Sequence, residues 1–417
     1  MRSPSAEVDY GADNAILAFA NVFRPSVKST IGFVATEKRI HWERPWECTK
    51  TMNSEINTKM DFVTIIFNNH IEVELLKVQA HSFAYVDESI IKNIIIVYND
   101  IGDSTRNQKE QILKDVLFFY PARLREKVNI VSSDDFGLAA VRSNWYSQQV
   151  AKIMISTLVT TSHYVVLDGK NHFIRNVGLE YFFEDGLKPY LHLQEHGDDM
   201  MNFYNNCLNY FSVPCPYPNK RKIQTVTPFV FKTEVCIDLI GHINARENRT
   251  FPSFIMEEKK YTEFFFYYAY LLATSKINEY VISPSLRFIA VGRADPKIYE
   301  YNSFESKLSA INQNQNLCVM GLHRGAICYL DKEYKAKLVN LYRKYYCPCV
   351  VDFIKDKILN SDIPENTQYI WQNLPSDFEW QQYVSVNHDL RLMNEFQAKN
   401  HYNNQGYKEN RKYKSDQ

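Results

Sequence analysis

Between Asp61 and Asp168, short runs of β-branched and aliphatic residues alternate with longer amphipathic stretches, and this constrains the fold more than any other feature. Phe62-Val63-Thr64-Ile65-Ile66-Phe67, Ile94-Ile95-Ile96-Val97-Tyr98, Val128-Asn129-Ile130-Val131 and Tyr164-Val165-Val166-Leu167 read as strands buried on both faces. Residues 71–85, 107–119 and 144–160 carry helical spacing between them. Strand and helix alternating over short connections predict an α/β fold, with a mostly parallel central sheet and flanking helices. The fourth strand runs into Asp168-Gly169-Lys170-Asn171-His172-Phe173. Ligands of open α/β sheets collect beyond the carboxyl ends of the strands, so this turn is the first place to expect a site.

Beyond Asp168 the alternation fades. Residues 176–225 are rich in aromatic, His and Pro residues and predict an irregular, loop-built region. Thr227-Pro228 is expected to open a helix through Ile243, with Thr as cap and Pro in the first turn. Thr262-Glu263 is expected to open another over Phe264–Ala273, apolar nearly all round and therefore buried. Residues 286–291 and 317–323 read as strands, and 333–346 and 350–359 as helices. The expected division is an N-terminal extension over 1–57, a main domain over 58–360, a linker over 361–376 with Pro364 and Pro375, and a small helical module over 377–417.

Composition narrows the partners. Forty-eight basic residues balance 48 acidic ones, which gives no electrostatic case for nucleic acid. Eight scattered cysteines without a CxxC pair argue against a zinc ribbon and for a reducing, cytoplasmic compartment. No apolar run approaches the roughly 20 residues of a transmembrane helix. Ala15–Ala20 is too short and lacks the basic start of a signal peptide, which leaves peripheral membrane association as the one membrane role to expect.

Several stretches carry a resemblance. Ile96–Thr105 is similar to the strand and acidic turn that hold base and ribose in nucleotide-sugar glycosyltransferases of the GT-A type. Trp145–Lys152 followed by Val165–Lys170 looks like their helix and Asp-x-Asp strand. Tyr261-Thr262-Glu263-Phe264, and later Gly321-Leu322-His323-Arg324, resemble the acceptor-side motifs. Over about 60–345 the chain thus resembles a glycosyltransferase-like family of bacterial and giant-virus polysaccharide gene sets. Phe378, Tyr383, Asn387-His388-Asp389-Leu390, His401-Tyr402, Gly406, Glu409 and Arg411 resemble a short module often appended to such enzymes.

The resemblance implies a GT-A-like (Rossmann-like) fold and transfer of a sugar from a nucleotide-sugar donor to a glycan acceptor. Asp168 and Glu263 would be its catalytic carboxylates, Glu263 as the base of an inverting transfer. An acid in a first helical turn also suits the helix dipole without any catalytic reason. Asp238 is a second candidate base. Asn99, Asp100, Asp103, Gln149, Lys152, Lys170, Asn171 and Arg324 would bind the donor. A divalent metal, Mn²⁺ or Mg²⁺, would be held by Asp168 and His323. Lys170 stands where the second Asp of Asp-x-Asp would be, and a charged lysine neutralises phosphate directly but does not ligate a cation. His192, His196 and Asp198 have metal-like spacing if their segment is helical. Two rivals remain open: an inactive glycan-binding or scaffolding protein on a degenerate transferase fold, which Lys170 favours, and a nucleotidyltransferase, for which Phe67-Asn68-Asn69-His70 is not a triphosphate loop.

Overall fold

A computed structural model describes residues 59–414 apart from 68, 100–104, 139–144, 186–187, 217–220, 285, 292–300, 328–329, 331, 361–373, 376, 391–397, 400, 403–405 and 408. The expectations for the N-terminal extension, for Asp100 and Asp103, and for most of the linker lie outside the described residues.

The expected alternation is present. Strand β1 (Met60–Ile66) leads to helix α1 (His70–Ser82), β2 (Ile91–Tyr98) to α2 (Thr105–Leu117), and β3 (Val128–Ser132) to α3 (Trp145–Met154) and β4 (His163–Asp168). Asn69 caps α1, its Oδ1 accepting from the N–H groups of Ile71 and Glu72 at 3.1 and 3.3 Å. The main sheet runs β3-β2-β1-β4 in parallel and closes with one antiparallel strand, Phe229–Lys232. Consecutive strands are laid down outward from β1 to β3, and β4 then pairs with the other edge of β1. The order therefore reverses between β1 and β4, which makes the carboxyl ends of those two strands the topological switch point.

Both sheet faces are apolar, as two-sided burial requires. Val63, Ile65, Tyr164 and Val166 enter one core, and Phe62, Ile66, Val165 and Leu167 the other. Asp168 has the parity of Tyr164 and Val166, so its side chain leaves the sheet on the first face.

The second half corrects several expectations. After β5 (Asn171–Phe173) and the two-residue β6 (Phe183–Glu184), the segment expected to be irregular contains strand β7 (Lys188–Glu195) and helix α4 (Asp198–Tyr210). His192 thus lies in a strand and Asp198 starts a helix, so the i, i+4 metal spacing with His196 is not realised; His196 is buried with Nε2 donating to Ile223 O at 2.8 Å. After β8 (Arg221–Ile223), Thr227-Pro228 opens strand β9 (Phe229–Lys232) instead of a helix, and α5 (Thr233–Glu247) begins only after it. The run Phe-Val-Phe pairs with β4, and that tertiary partner outweighs the local start signal.

Helix α6 (Phe251–Glu258) is followed by α7 (Glu263–Ala273), whose residues through Leu271 are all buried. Next come β10 (Val281–Ser283), β11 (Phe288–Val291), α8 (Tyr301–Gln313), β12 (Val319–Leu322), α9 (Lys332–Tyr342) and α10 (Pro348–Phe353). A separate sheet of order β11-β12-β5 brings the end of β12 beside the turn after β4, where the Leu322 N–H donates to Lys170 O at 3.0 Å. Toward the C-terminus, helix α11 (Trp380–Val386) packs a small core around Tyr383, Leu390, Ala398 and Tyr402. No helix among the described residues is long and apolar enough to cross a membrane.

One buried histidine ties these layers together and sets a pH dependence. His172 on β5 donates from Nε2 to Leu75 O at 3.3 Å and accepts at Nδ1 from the Tyr342 hydroxyl at 2.9 Å. Burial pushes its pKa down to about 3 from an ordinary 6.5. The folded value is depressed, so the stability this neutral imidazole contributes is complete above pH 6.5 and is lost as pH falls toward 3. Each pH unit in that window weighs about 1.4 kcal/mol at most. Denaturant unfolding is expected to show about 2 kcal/mol more acid sensitivity between pH 7.5 and 5 in wild type than in His172→Gln.

Candidate functional site

The turn after β4 is held rigid by buried amides. Gln79 on α1 accepts from Thr64 Oγ1 at 2.8 Å, and its Nε2 donates to the carbonyls of Asp168 and Asn171 at 2.7 and 3.1 Å. Asn171 Oδ1 accepts from the Asp168 N–H and from Thr227 Oγ1, both at 2.7 Å. Asn171 is fully buried, so its side chain shapes the turn. Gly169 lies against the first turn of α1, where a Cβ would stand 3.7 Å from Glu72 Oε2.

Around this turn runs a chain of alternating charges. Lys152 Nζ, from α3, lies 3.3 Å from Asp168 Oδ1 and 2.9 Å from Glu263 Oε1 at the start of α7. Lys170 Nζ takes the other oxygen, Asp168 Oδ2, at 2.7 Å. On the far side, Arg324 Nη1 lies 3.3 Å from Glu72 Oε1. Exposure grades the cluster: the side chains of Glu263 and Lys152 are 1% and 6% exposed, those of Lys170 and Arg324 28% and 40%. A buried base of fixed charges thus supports two cations that reach solvent.

The parity of β4 explains the buried part. Asp168 leaves the sheet on the face covered by α3 and α7, and the Tyr164 hydroxyl donates to Lys152 O at 2.8 Å, fastening α3 to β4. The Phe264 ring lies beneath the ammonium, with Lys152 Nζ 4.9 Å from its centroid.

Electrostatics follow from this geometry. Burial raises the Asp168 pKa, but the charges of Lys152 and Lys170 and hydrogen bonds from Lys170 and Thr227 outweigh it and hold the carboxyl well below the usual range. Burial likewise opposes the Lys152 charge, and Asp168 and Glu263 overcome it, so the ammonium persists at any physiological pH. Glu263 goes the other way. Burial raises its pKa, Lys152 offsets this in part, and its Oε2 is buried without a hydrogen-bond partner. Burial also raises Glu72, against the charges of Arg324 and Lys170.

The expected residues are therefore distributed as follows. Asp168, Lys170, Lys152, Glu263 and Arg324 come together. Gln149 is buried near Glu263, in the same region as Thr262 and Phe266. Asn99 is buried at the end of β2 with Nδ2 donating to Ser147 Oγ at 2.9 Å. Asp238 pairs with Lys276 at 2.8 Å, on the exposed part of α5. Glu72 and Gln79 were not singled out from the sequence, and Thr227 was singled out only as a helix cap. Glu72 alone had a local signal, an acid in the first turn after a strand, and that signal is common.

A divalent cation fits these residues poorly. Both oxygens of Asp168 already face ammonium groups, and among the described residues no three His, Cys, Asp or Glu side chains converge on one point. His323 follows β12 and is half-buried, one residue from the Lys170 contact.

Among solved structures, the chain is similar to a galactosyltransferase, LgtC, in complex with donor and acceptor sugar analogs, at 10% identity and a TM-score of 0.37, over 72% of this chain and all of that one. It is similar also to the bifunctional glycosyltransferase WbbM, at 11% identity and a TM-score of 0.35, over 73% of this chain and 52% of that one. No curated protein sequence matches it significantly. The model of a family of unknown function, DUF6492, matches residues 55–289, more than half of the chain and nearly all of the charged cluster. By that match the chain belongs to DUF6492.

Proposed function

We propose that the protein is a glycosyltransferase that moves a sugar from a nucleotide-sugar donor to a glycan acceptor, and that it neutralises the donor diphosphate with Lys170 and Arg324. The observation that carries this reading is the pair of solvent-reaching cations at the switch point, each held by a carboxylate beneath it. The resemblance around Asp168 supports it independently. In the transfer, an acceptor hydroxyl attacks the anomeric carbon and the bond from that carbon to the diphosphate oxygen breaks. Fixed cations at the departing oxygens stabilise the charge that develops there. Lys170 and Arg324 take that role, and Asp168 and Glu72 keep them in place.

In this scheme Glu263 is a positioning residue. Its carboxylate is bound to Lys152 and out of reach of an acceptor, so the base of an inverting transfer would have to be another group. No step runs through a metal.

Thermal shifts with a panel of nucleoside diphosphates and nucleotide sugars, with and without Mn²⁺, test this reading. A ligand at about 100 times its dissociation constant adds about 2.7 kcal/mol of stability, a visible shift. The expected result is a shift confined to one nucleotide family and the same without Mn²⁺. A panel with no shift at all would overturn the reading in favour of a glycan-binding protein.

A further inference from the structure

Three of the described cysteines are sheltered. Cys207 and Cys236 are buried and Cys318 is half-buried, and burial raises the thiol pKa of each. A thiol held neutral is a poor nucleophile. Cys347 and Cys349 differ. They are exposed, one proline apart, and their Sγ atoms lie 2.9 Å from each other.

The backbone brings these two sulfurs together. Cys347 is extended, with ψ at 157°, and Pro348 opens α10, so the chain turns between the two cysteines. The N–H groups of Val350 and Val351 both donate to Cys347 O at 3.1 Å and pin that turn. Anchors stand on either side. The Tyr346 hydroxyl donates to Phe173 O at 2.6 Å, and Val350 and Val351 enter the core. On this fixed backbone, an S–S bond of about 2.05 Å requires less than about 1 Å of further approach.

The two sulfurs are not equivalent. When Cys347 ionises, the Cys349 thiol donates to its Sγ, and the Val350 N–H adds a second hydrogen bond. Both hold Cys347 below the ordinary thiol pKa, while the same sulfur–sulfur contact raises Cys349. Cys347 is the readier thiolate, and Cys349 stands within reach of its sulfur.

We propose that Cys347 and Cys349 form a thiol–disulfide exchange site for small-molecule disulfides. The Cys347 thiolate attacks one sulfur of the disulfide, forms a mixed disulfide and expels one thiolate. Cys349, once deprotonated, attacks Cys347 Sγ, closes an internal disulfide and expels the second thiolate. Two electrons pass from the pair to the small disulfide, which leaves as two thiols carrying the two protons. The site does not depend on the transferase reading.

Oxidised glutathione on the full chain tests it, with timed alkylation quenches and peptide mass spectrometry. In wild type, the peptide with Cys347 and Cys349 is expected to lose two hydrogens, to gain no lasting glutathione, and to recover both hydrogens with dithiothreitol. Cys349→Ser should stop at the mixed disulfide, with glutathione on Cys347. Cys347→Ser should take up glutathione on Cys349 several-fold more slowly than that. Both side chains are exposed, so melting should be the same for all three proteins. A wild type that accumulates glutathione on either cysteine without the internal disulfide, or in which neither reacts, overturns the proposal. So does a Cys347→Ser variant that takes up glutathione as fast as Cys349→Ser.

Discussion

Replacing Lys152 by Met is expected to lower stability by about 3–5 kcal/mol, the cost of stranding a buried charge. Glu263, 1% exposed, would keep its carboxylate in an apolar setting with its one close cation gone, and Asp168 would lose half of its compensation. Solvent has almost no access to this pair, so screening does little to soften the loss. Urea unfolding of four proteins checks it: wild type, Lys152→Met, Glu263→Leu and the double variant. The double variant should recover more than half of the loss, because removing both charges also removes the buried orphan. Strict additivity of the two single changes would show that the pair is not coupled and sink the account.

The pH dependence of Lys152→Met has a definite sign. Burial already raises the Glu263 pKa, and Lys152 is the main influence lowering it. Without that lysine the folded-state pKa climbs further above the unfolded value. Stability tied to a raised carboxyl pKa is complete below the unfolded value and is lost as pH rises through the folded one. Lys152→Met should therefore be closer to wild type at pH 5 than at pH 8.

Lys170→Ala and Arg324→Ala are each expected to weaken donor binding about tenfold to a hundredfold, the worth of a charge-assisted phosphate contact. Both side chains reach solvent, so stability should change little. Lys170→Asp is the sharper variant. It recreates the two-carboxylate strand end and removes the cation that faces Asp168 Oδ2. Donor binding without metal should vanish, and any that returns should require Mn²⁺. Calorimetric titration of the nucleotide that shifts wild type measures both effects. Metal-free binding by Lys170→Asp at wild-type strength would remove Lys170 from the donor site.

Much of this protein is written locally. Runs such as Ile94–Tyr98 are apolar at every position because both sheet faces are covered, and alternation with helical spacing implies a parallel sheet. The strand ending at Asp168 followed from the same pattern. Spacing along α3 placed Gln149 and Lys152 on one face, and both are buried.

Other features depended on partners that local pattern does not encode. Phe229-Val230-Phe231 is too short an apolar run to declare its period, and it became a strand because β4 offered an open edge. Glu263 looked like a helix-start acid available to a substrate. Its burial against Lys152, 111 residues earlier in the chain, is visible only once α3 and α7 meet over the same sheet face. The pairing of Glu72 with Arg324 likewise needed β5, β12 and α1 to converge. The sequence by itself determined the layered α/β architecture and the strand that ends at Asp168, because periodicity records which face of each element is buried. Which charges meet there, and which of them reach solvent, the tertiary structure decided, because a Coulomb partner is chosen by distance in space and the chain carries no local record of it.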